Sequence, residues 1–347
     1  MKFQILDDES KRNHAGSKAP NDVAKIAENM GFVTFKIDVT DLGNNYVKKI
    51  GRQFINYRNW QSIYRKIPKG SVLLIQFPSY HFELNRNRVL KSLKFKKKVK
   101  FLFLIHDLNI LRGEKEDPKY DLMLELADKI IVHNYRMQQY LIEKGISASK
   151  LINLQIFDYL CKIDKSKQIK YKKKIIIAGN LDINKSGYLR YLNKIPVNFD
   201  LFGPNFTLSN ISNVSYEGSY TADKIMSKLA YGYGLIWDGN EINTCSGNYG
   251  NYLMYNDPHK LSLYIVSGIP IIIWKKAAEA KFVLDNNIGI AIDSLNDLPN
   301  VIERTTRDDY YRYCQNIKKV AYNLSHGKYT EFALAKALKD LANTNNY

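Results

Sequence analysis

The hydrophobic positions of this chain fall in short, nearly unbroken runs separated by longer stretches of mixed polarity. Such runs mark strands covered on both faces, as in a parallel sheet, whereas half-exposed strands alternate apolar and polar residues. We read them at 2–6, 32–37, 71–77, 99–105 and 129–132, and again at 174–178, 198–202, 214–217, 234–237, 269–274 and 289–292. Helical segments fall between and after them at 22–30, 46–66, 86–95, 121–127, 136–144, 187–192, 221–230, 261–266, 277–286, 295–305, 308–325 and 331–342. Gly31 and Gly145 follow two of these helices where a left-handed closing residue is needed, and Pro78 ends the run 71–77. Strand and helix alternate along the chain, which predicts an α/β protein with doubly wound parallel sheet.

The stretch 234–274 is the most informative. A strand at 234–237, a Gly/Asn loop, the cluster Asn256-Asp257-Pro258-His259-Lys260, a helix and a second strand make a βαβ unit. The free N–H groups and the dipole at such a helix start attract anions, and a lysine in the first turn adds to them. We read this as the phosphate end of a nucleotide site.

Residues 162–174 hold seven lysines and few apolar residues, a shift that divides the chain. The expected organisation is an N-terminal unit at 1–160, a basic linker at 161–173, a C-terminal unit at 174–325 and a last helix at 326–347 that packs back on the first unit. A length of 347 residues with 45% hydrophobic side chains suits two domains. The three cysteines are scattered without zinc-like spacing, which points to a reducing cytoplasm. The N-terminus meets acidic residues before an apolar core forms, so no signal peptide is expected. A net charge of +18 favours anionic partners: nucleotide phosphates, nucleic acid or an acidic membrane surface. A second lysine cluster at 91–100 suggests peripheral contact with anionic lipid.

Five groups of residues, in order, carry a resemblance: Gln76-Phe77-Pro78; Ile105-His106-Asp107; Ala178-Gly179-Asn180-Leu181 with Lys185-Ser186-Gly187; Gly234 to Asp238; and Asn256 to Leu263 with Gly268-Ile269-Pro270. With them the chain resembles the bacterial β-1,6-galactofuranosyltransferases and the related glucosyltransferases that extend adhesin glycans. The resemblance implies the GT-B architecture, two Rossmann-like parallel-sheet domains facing a central cleft. It also implies a UDP-sugar donor held by the second domain and a glycan or lipid-linked glycan acceptor held by the first. It further implies hexosyl transfer in cytoplasmic steps of surface-polysaccharide or glycoprotein assembly, by a homo-oligomer; a position at the inner face of the membrane rests on the lysine cluster alone.

Candidate roles follow. Lys260 and Lys185 are expected to clamp the donor diphosphate, with Gly179 allowing close backbone approach, Asn180 on ligand or loop, and Asn256 and His259 on ribose or phosphate or at the helix cap. Gly16 and Ser17, in the loop after the first strand, lie where GT-B proteins approach donor phosphate or acceptor. Asp107, at a strand end, is the candidate general base, with His106 beside it as an alternative or an orienting partner. Asp238, Glu241, Gln76 and Gly247 are candidates for sugar or acceptor contact, and 247–250 reads as a flexible polar loop. No Asp-x-Asp triplet, no nucleotide-binding Gly-rich motif and no His cluster occurs, so no metal and no cofactor beyond the donor sugar is expected. The competing readings are a basic nucleic-acid-binding protein and a silent sugar-binding partner of another transferase. The first would need cations interleaved with aromatics along one face, and these lysines gather elsewhere.

Overall fold

The computed structural model describes residues 1–8, 17–39, 46–79, 83–113, 118–164, 166–209 and 211–343. The chain builds two six-stranded sheets, and every strand pairing is parallel. The first contains β1 (Lys2–Asp8), β2 (Val33–Asp38), β3 (Val72–Phe77), β4 (Lys100–Ile105), β5 (Lys129–Val132) and β6 (Leu151–Asn153), in the order β2-β1-β3-β4-β5-β6. The second contains β7 (Lys170–Ala178), β8 (Asn198–Phe202), β9 (Val214–Gly218), β10 (Tyr231–Ile236), β11 (Ile271–Trp274) and β12 (Gly289–Ile292), in the order β12-β11-β10-β7-β8-β9. The two Rossmann-like parallel sheets expected from the sequence are therefore present. In such sheets ligands sit outside the carboxyl ends of the strands where the strand order reverses. That point lies between β7 and β10 in the second sheet, and between β1 and β3 in the first.

Crossover helices cover both sheets. Around the first are α1 (Lys18–Asn29), α2 (Tyr46–Lys66), α3 (Arg86–Phe95), α4 (Pro118–Leu126) and α5 (Tyr135–Glu143). The second half adds α6 (Ala222–Lys228), α7 (Gly247–Tyr252), α8 (His259–Ser267), α9 (Ala280–Asp285), α10 (Leu298–Arg304), α11 (Arg307–Ser325) and α12 (Lys328–Asn343). Residues 187–194 form a 3-10 helix.

On one face of the first sheet, Trp60 and Ile63 of α2, and Ile67 just after it, pack with Val89, Leu90 and Leu93 of α3. On the other face lie Val23 and Ala27 of α1 together with Ala333, Leu334 and Ala337 of α12. The last helix thus leaves the second sheet and completes the first. Its entry is fixed by the Asp158 carboxylate, which accepts the N–H groups of Thr330 at 2.6 Å and Tyr329 at 3.4 Å in the first turn of α12. Burial raises the Asp158 carboxyl to about 7.

Helix α8 is buried from Leu261 to Ser267. Tyr264 lies flat over Gly234, where an added Cβ would sit 2.4 Å from the ring, so only glycine fits beneath it. Its hydroxyl accepts the Ala178 N–H at 2.7 Å. These contacts seat α8 over β7 and β10, and Lys260, one turn earlier on the same face, is delivered to their carboxyl ends.

The lysine-rich stretch is less of a linker than its composition suggests. Strand β7 already begins at Lys170, and the half-buried Lys167 donates its ammonium to the carbonyls of Met226, Leu229 and Ser267 at 2.6, 2.9 and 2.8 Å. It caps the carboxyl ends of α6 and α8, where a cation is favourable, although burial lowers it to about 8.

Candidate active site

The carboxyl ends of β7 and β10 open on a small pocket lined by Gly179, Asn180, Leu181, Lys185, Ser186, Tyr188, Asp238 and Lys260, among others. Gly179 has φ +142 and runs so close to Gly203 that a Cβ on the latter would meet the Gly179 carbonyl at 1.7 Å. The Asn180 carboxamide oxygen is engaged within the protein, accepting from the Asp182 N–H at 3.0 Å and from the Asn205 amide at 2.8 Å. Lys260 is mostly buried, its side chain 16% exposed, and donates to the Trp237 carbonyl at 2.8 Å and to the Asp238 carboxylate at 3.0 Å. Burial lowers the Lys260 ammonium, Asp238 offsets this, and the neighbouring charge of Lys185 lowers it further. The two lysines therefore share one site. Lys185 lies 6.0 Å over the Tyr249 ring and makes no salt bridge among the described residues.

Asp107 and His106 follow β4 in the other half. His106 is half-buried and stacks on Phe157 with ring centroids 5.2 Å apart. Gln76 uses its amide N–H on the Pro20 carbonyl at 3.0 Å, so its oxygen takes the His106 Nε2–H at 2.6 Å. That leaves Nδ1 with the lone pair, and burial holds the ring near pKa 3, hence neutral at physiological pH. The Asp107 carboxylate accepts from Arg112 at 2.5 Å and from the Tyr252 hydroxyl at 3.3 Å. Tyr252 also accepts the Leu108 N–H at 3.0 Å, and the Arg112 guanidinium lies over its ring at 4.7 Å. Residues from the two sheets therefore meet at Asp107.

Beside this contact runs a buried polar seam. His133 Nδ1 accepts the Asp257 N–H at 3.0 Å while its Nε2–H donates to the Ile105 carbonyl at 3.1 Å, which fixes the neutral tautomer. Burial takes that imidazole to about 3. The Asp257 carboxylate accepts the Phe157 N–H, and burial raises it to about 7. Asn134 donates to the Tyr255 carbonyl at 3.0 Å and to Glu279 at 2.8 Å. His259 stacks on Tyr159 at 5.1 Å, and its Nε2, like the Asn256 Oδ1, is buried without a hydrogen bond among the described residues. Pro258 occupies the N-cap of α8, so neither Asn256 nor Asp257 caps it.

The structure thus gathers Gly179, Asn180, Lys185, Asp238 and Lys260 in one pocket and places Gln76, His106 and Asp107 together on the facing half. Asn256 and His259 lie in the seam and do not line that pocket. Glu241 is bound to its own turn, its carboxylate accepting from Ser246 at 2.9 Å and its carbonyl from Trp237 at 3.0 Å. Ser17 precedes α1, and Gly16 falls outside the described residues. The flexible loop expected at 247–250 is instead the start of α7, with Gly247 at φ +69. Gly250 explains this. A Cβ there would lie 2.7 Å from the Cys245 carbonyl carbon and 3.1 Å from the Asp238 oxygen, so glycine lets a poor helix former pack tightly against the Asp238 turn. Among the described residues, no three His, Cys, Asp or Glu side chains group as a metal site.

Two family models cover most of the chain: the N-terminal domain of glucosyltransferase 3-like proteins matches residues 4–156, and the C-terminal domain matches 175–337. The chain belongs to the glucosyltransferase 3-like family. Within or near that family, it is 32% identical to the β-1,6-galactofuranosyltransferase WbbI of Escherichia coli (strain K12), over 95% of this chain and 96% of that protein. It is 23% identical to glucosyltransferase 3 of Streptococcus gordonii, over 93% and 94% of the two chains. Among solved structures, Anabaena Alr3699/HepE in complex with UDP superposes with a TM-score of 0.63 at 13% identity, covering 98% of this chain and 100% of that one. The resemblance drawn from short motifs, and the glycosyltransferase reading with it, is borne out.

For a glucosyltransferase 3-like chain, the residues that sequence reasoning missed are those that join the halves: Arg112, His133, Asn134, Tyr252 and Glu279. The nearest signal was the tyrosine-rich run from Tyr249 to Tyr255, which is unusual for a solvated loop.

Proposed function

We propose that this chain transfers a hexosyl group, galactofuranose or glucose, from a UDP-sugar to a hydroxyl of a glycan acceptor. The observation that carries the reading is the convergence of Lys185 and Lys260 on a pocket at the strand-order reversal of the second sheet, with Asp107 of the first held by Tyr252 of the helix that packs on the Asp238 turn. The donor diphosphate is assigned to that pocket, where preorganised cations stabilise charge as it develops on the leaving group. The bond from the anomeric carbon to the diphosphate oxygen breaks with its electron pair leaving on UDP. The acceptor oxygen bonds to that carbon and passes its proton to Asp107. His106, neutral and held by Gln76, is assigned to position the adjoining turn. Lys185 and Lys260 supply the charge compensation in this scheme without calling on a metal ion. The acceptor is assigned as a glycan or lipid-linked glycan met on the cytoplasmic side, and no described helix is long and apolar enough to cross a membrane.

A thermal-shift series with UDP, GDP, dTDP and their sugars tests the donor assignment, since a ligand that binds only the folded state raises its apparent stability. Stabilisation by UDP and UDP-hexoses is expected. Equal response to all three nucleotides, or to none, would sink it.

A further inference from the structure

Where a strand leaves its sheet, the ladder no longer pairs the backbone, and buried N–H and C=O groups have to be met by side chains. After β5 that side chain is His133, only 1% exposed. Its Nε2–H donates at 3.1 Å to the carbonyl of Ile105, the last residue of β4, which stands two residues before Asp107. Its Nδ1 accepts at 3.0 Å the N–H of Asp257, three residues before Lys260. One neutral ring therefore touches both the turn that carries the candidate base and the entry to the helix that carries the donor lysine. Neither of these segments is held only by its own half. Helix α8 has no side-chain cap at its N-terminus, and the remaining grip on its entry comes from the crossing segment, where Phe157 gives its N–H to the Asp257 carboxylate and accepts the Ser262 hydroxyl at 2.6 Å. On the far side of the Asp107 turn, the His106 N–H donates to the Phe77 carbonyl at 2.6 Å.

We propose that His133 is a positioning residue for the transfer step, setting the separation between Asp107 and Lys260. The inference rests on the transferase reading given above. Proton acceptor and leaving-group cation have to be placed about one anomeric carbon, yet they come from different sheets, and a misplacement of about 1 Å costs on the order of a hundredfold in rate. Imidazole suits the task because its two nitrogens take opposite roles at a fixed distance. A second proton on Nδ1 would set an N–H against the Asp257 N–H and break the bridge. The donor, by contrast, is assigned to a pocket of the second half alone. Loss of the bridge therefore separates turnover from donor affinity, which loss of mere support would not do.

Three variants of the full chain test this. His133→Phe removes both bonds, His133→Asn keeps an acceptor near the place of Nδ1, and His133→Gln keeps a donor near the place of Nε2. In all three, Asn134 retains its bonds to the Tyr255 carbonyl and to Glu279, so the halves stay joined. Release of UDP from UDP-glucose or UDP-galactofuranose in water reads the chemical step without a glycan acceptor, and calorimetry reads UDP affinity, both well below the melting temperature of each variant. A bridge cut at either end positions nothing. Release is expected to fall about tenfold or more in each variant, with the UDP dissociation constant within about twofold of wild type and the melting temperature lowered most in His133→Phe. Wild-type release by the Asn or Gln variant, or a loss of UDP affinity that matches the loss of release, overturns the proposal and leaves His133 a structural residue. A wild-type chain that neither binds UDP nor releases it from these sugars strikes the transferase reading itself, and this inference with it.

Discussion

The hydroxyl of Tyr252, on α7, donates to the Asp107 carboxylate at 3.3 Å and at the same time accepts the N–H of Leu108 at 3.0 Å. A residue of the second half therefore orients the candidate base of the first, and the two halves must be together for Asp107 to be held. In Tyr252→Phe the ring still lies against Arg112 but the hydroxyl is gone. The unpaired Leu108 N–H is expected to cost about 1–3 kcal/mol of stability. The turnover number is expected to fall about tenfold, corresponding to roughly 1.4 kcal/mol of barrier. Donor affinity should stay as in wild type. Steady-state rates alongside UDP titration check this, and a fall in affinity with no change in turnover would remove the orienting role.

Lys260 and Asp238 have to be tested together, because each partly neutralises the other in a buried place. Replacing Lys260 by Met leaves an uncompensated carboxylate, which is expected to destabilise the fold by about 3–5 kcal/mol. Loss of this lysine alone is therefore expected to cost stability as well as donor affinity. Lys260→Met/Asp238→Asn should regain most of the stability but not the UDP affinity. Calorimetric titration of the double variant decides: full recovery of UDP binding would make Lys260 a structural residue only.

Lys185 offers a cleaner probe, since no described carboxylate pairs with it. Lys185→Ala is expected to weaken UDP binding about tenfold, in the range of a hydrogen bond to a charged group, and to leave the urea midpoint unchanged. An unaltered dissociation constant for UDP would take this lysine out of the diphosphate site.

Asp257 gives a pH signature. Burial raises its carboxyl from the ordinary 3.8 to about 7 in the folded chain. Between those values the folded state keeps a proton that the unfolded state has lost. Its contribution to stability is therefore full below the unfolded value and is lost as pH rises through the folded one. Asp257→Asn lacks this dependence and is expected to gain stability relative to wild type from about pH 5 to about pH 8, by roughly 1 kcal/mol or more. Urea unfolding at the two pH values measures it. A difference between the chains that does not change with pH would mean that Asp257 is ionised throughout.

The strands were legible because parallel sheet buries both faces and so writes continuous apolar runs such as Val99 to Ile105. Lys185 and Lys260 were legible because each closely follows the end of a strand or opens a helix, a local context that a sequence displays. Tyr252, His133, Asn134 and Glu279 were not. Their partners lie more than a hundred residues away in the chain, and no periodicity reports such a pairing. The Gly/Asn run at 247–250 misled for a related reason. Its intrinsic preference is for a loop, but the close fit of Gly250 against Cys245 and Asp238 selects a helix. Lys167 misled by composition, since lysine-rich sequence implies solvent whereas three carbonyls enclose this ammonium.

The return of α12 to the first sheet has a mechanical result. The backbone passes between the sheets once after β6 and again after α11, so the two Rossmann-like bodies are strapped at two places instead of one. Any relative motion of the two bodies then has to bend the chain at both crossings. Deleting the chain after Ser325 would remove one strap and, with it, the cover over Leu102 and Ile131 in the floor of the other body.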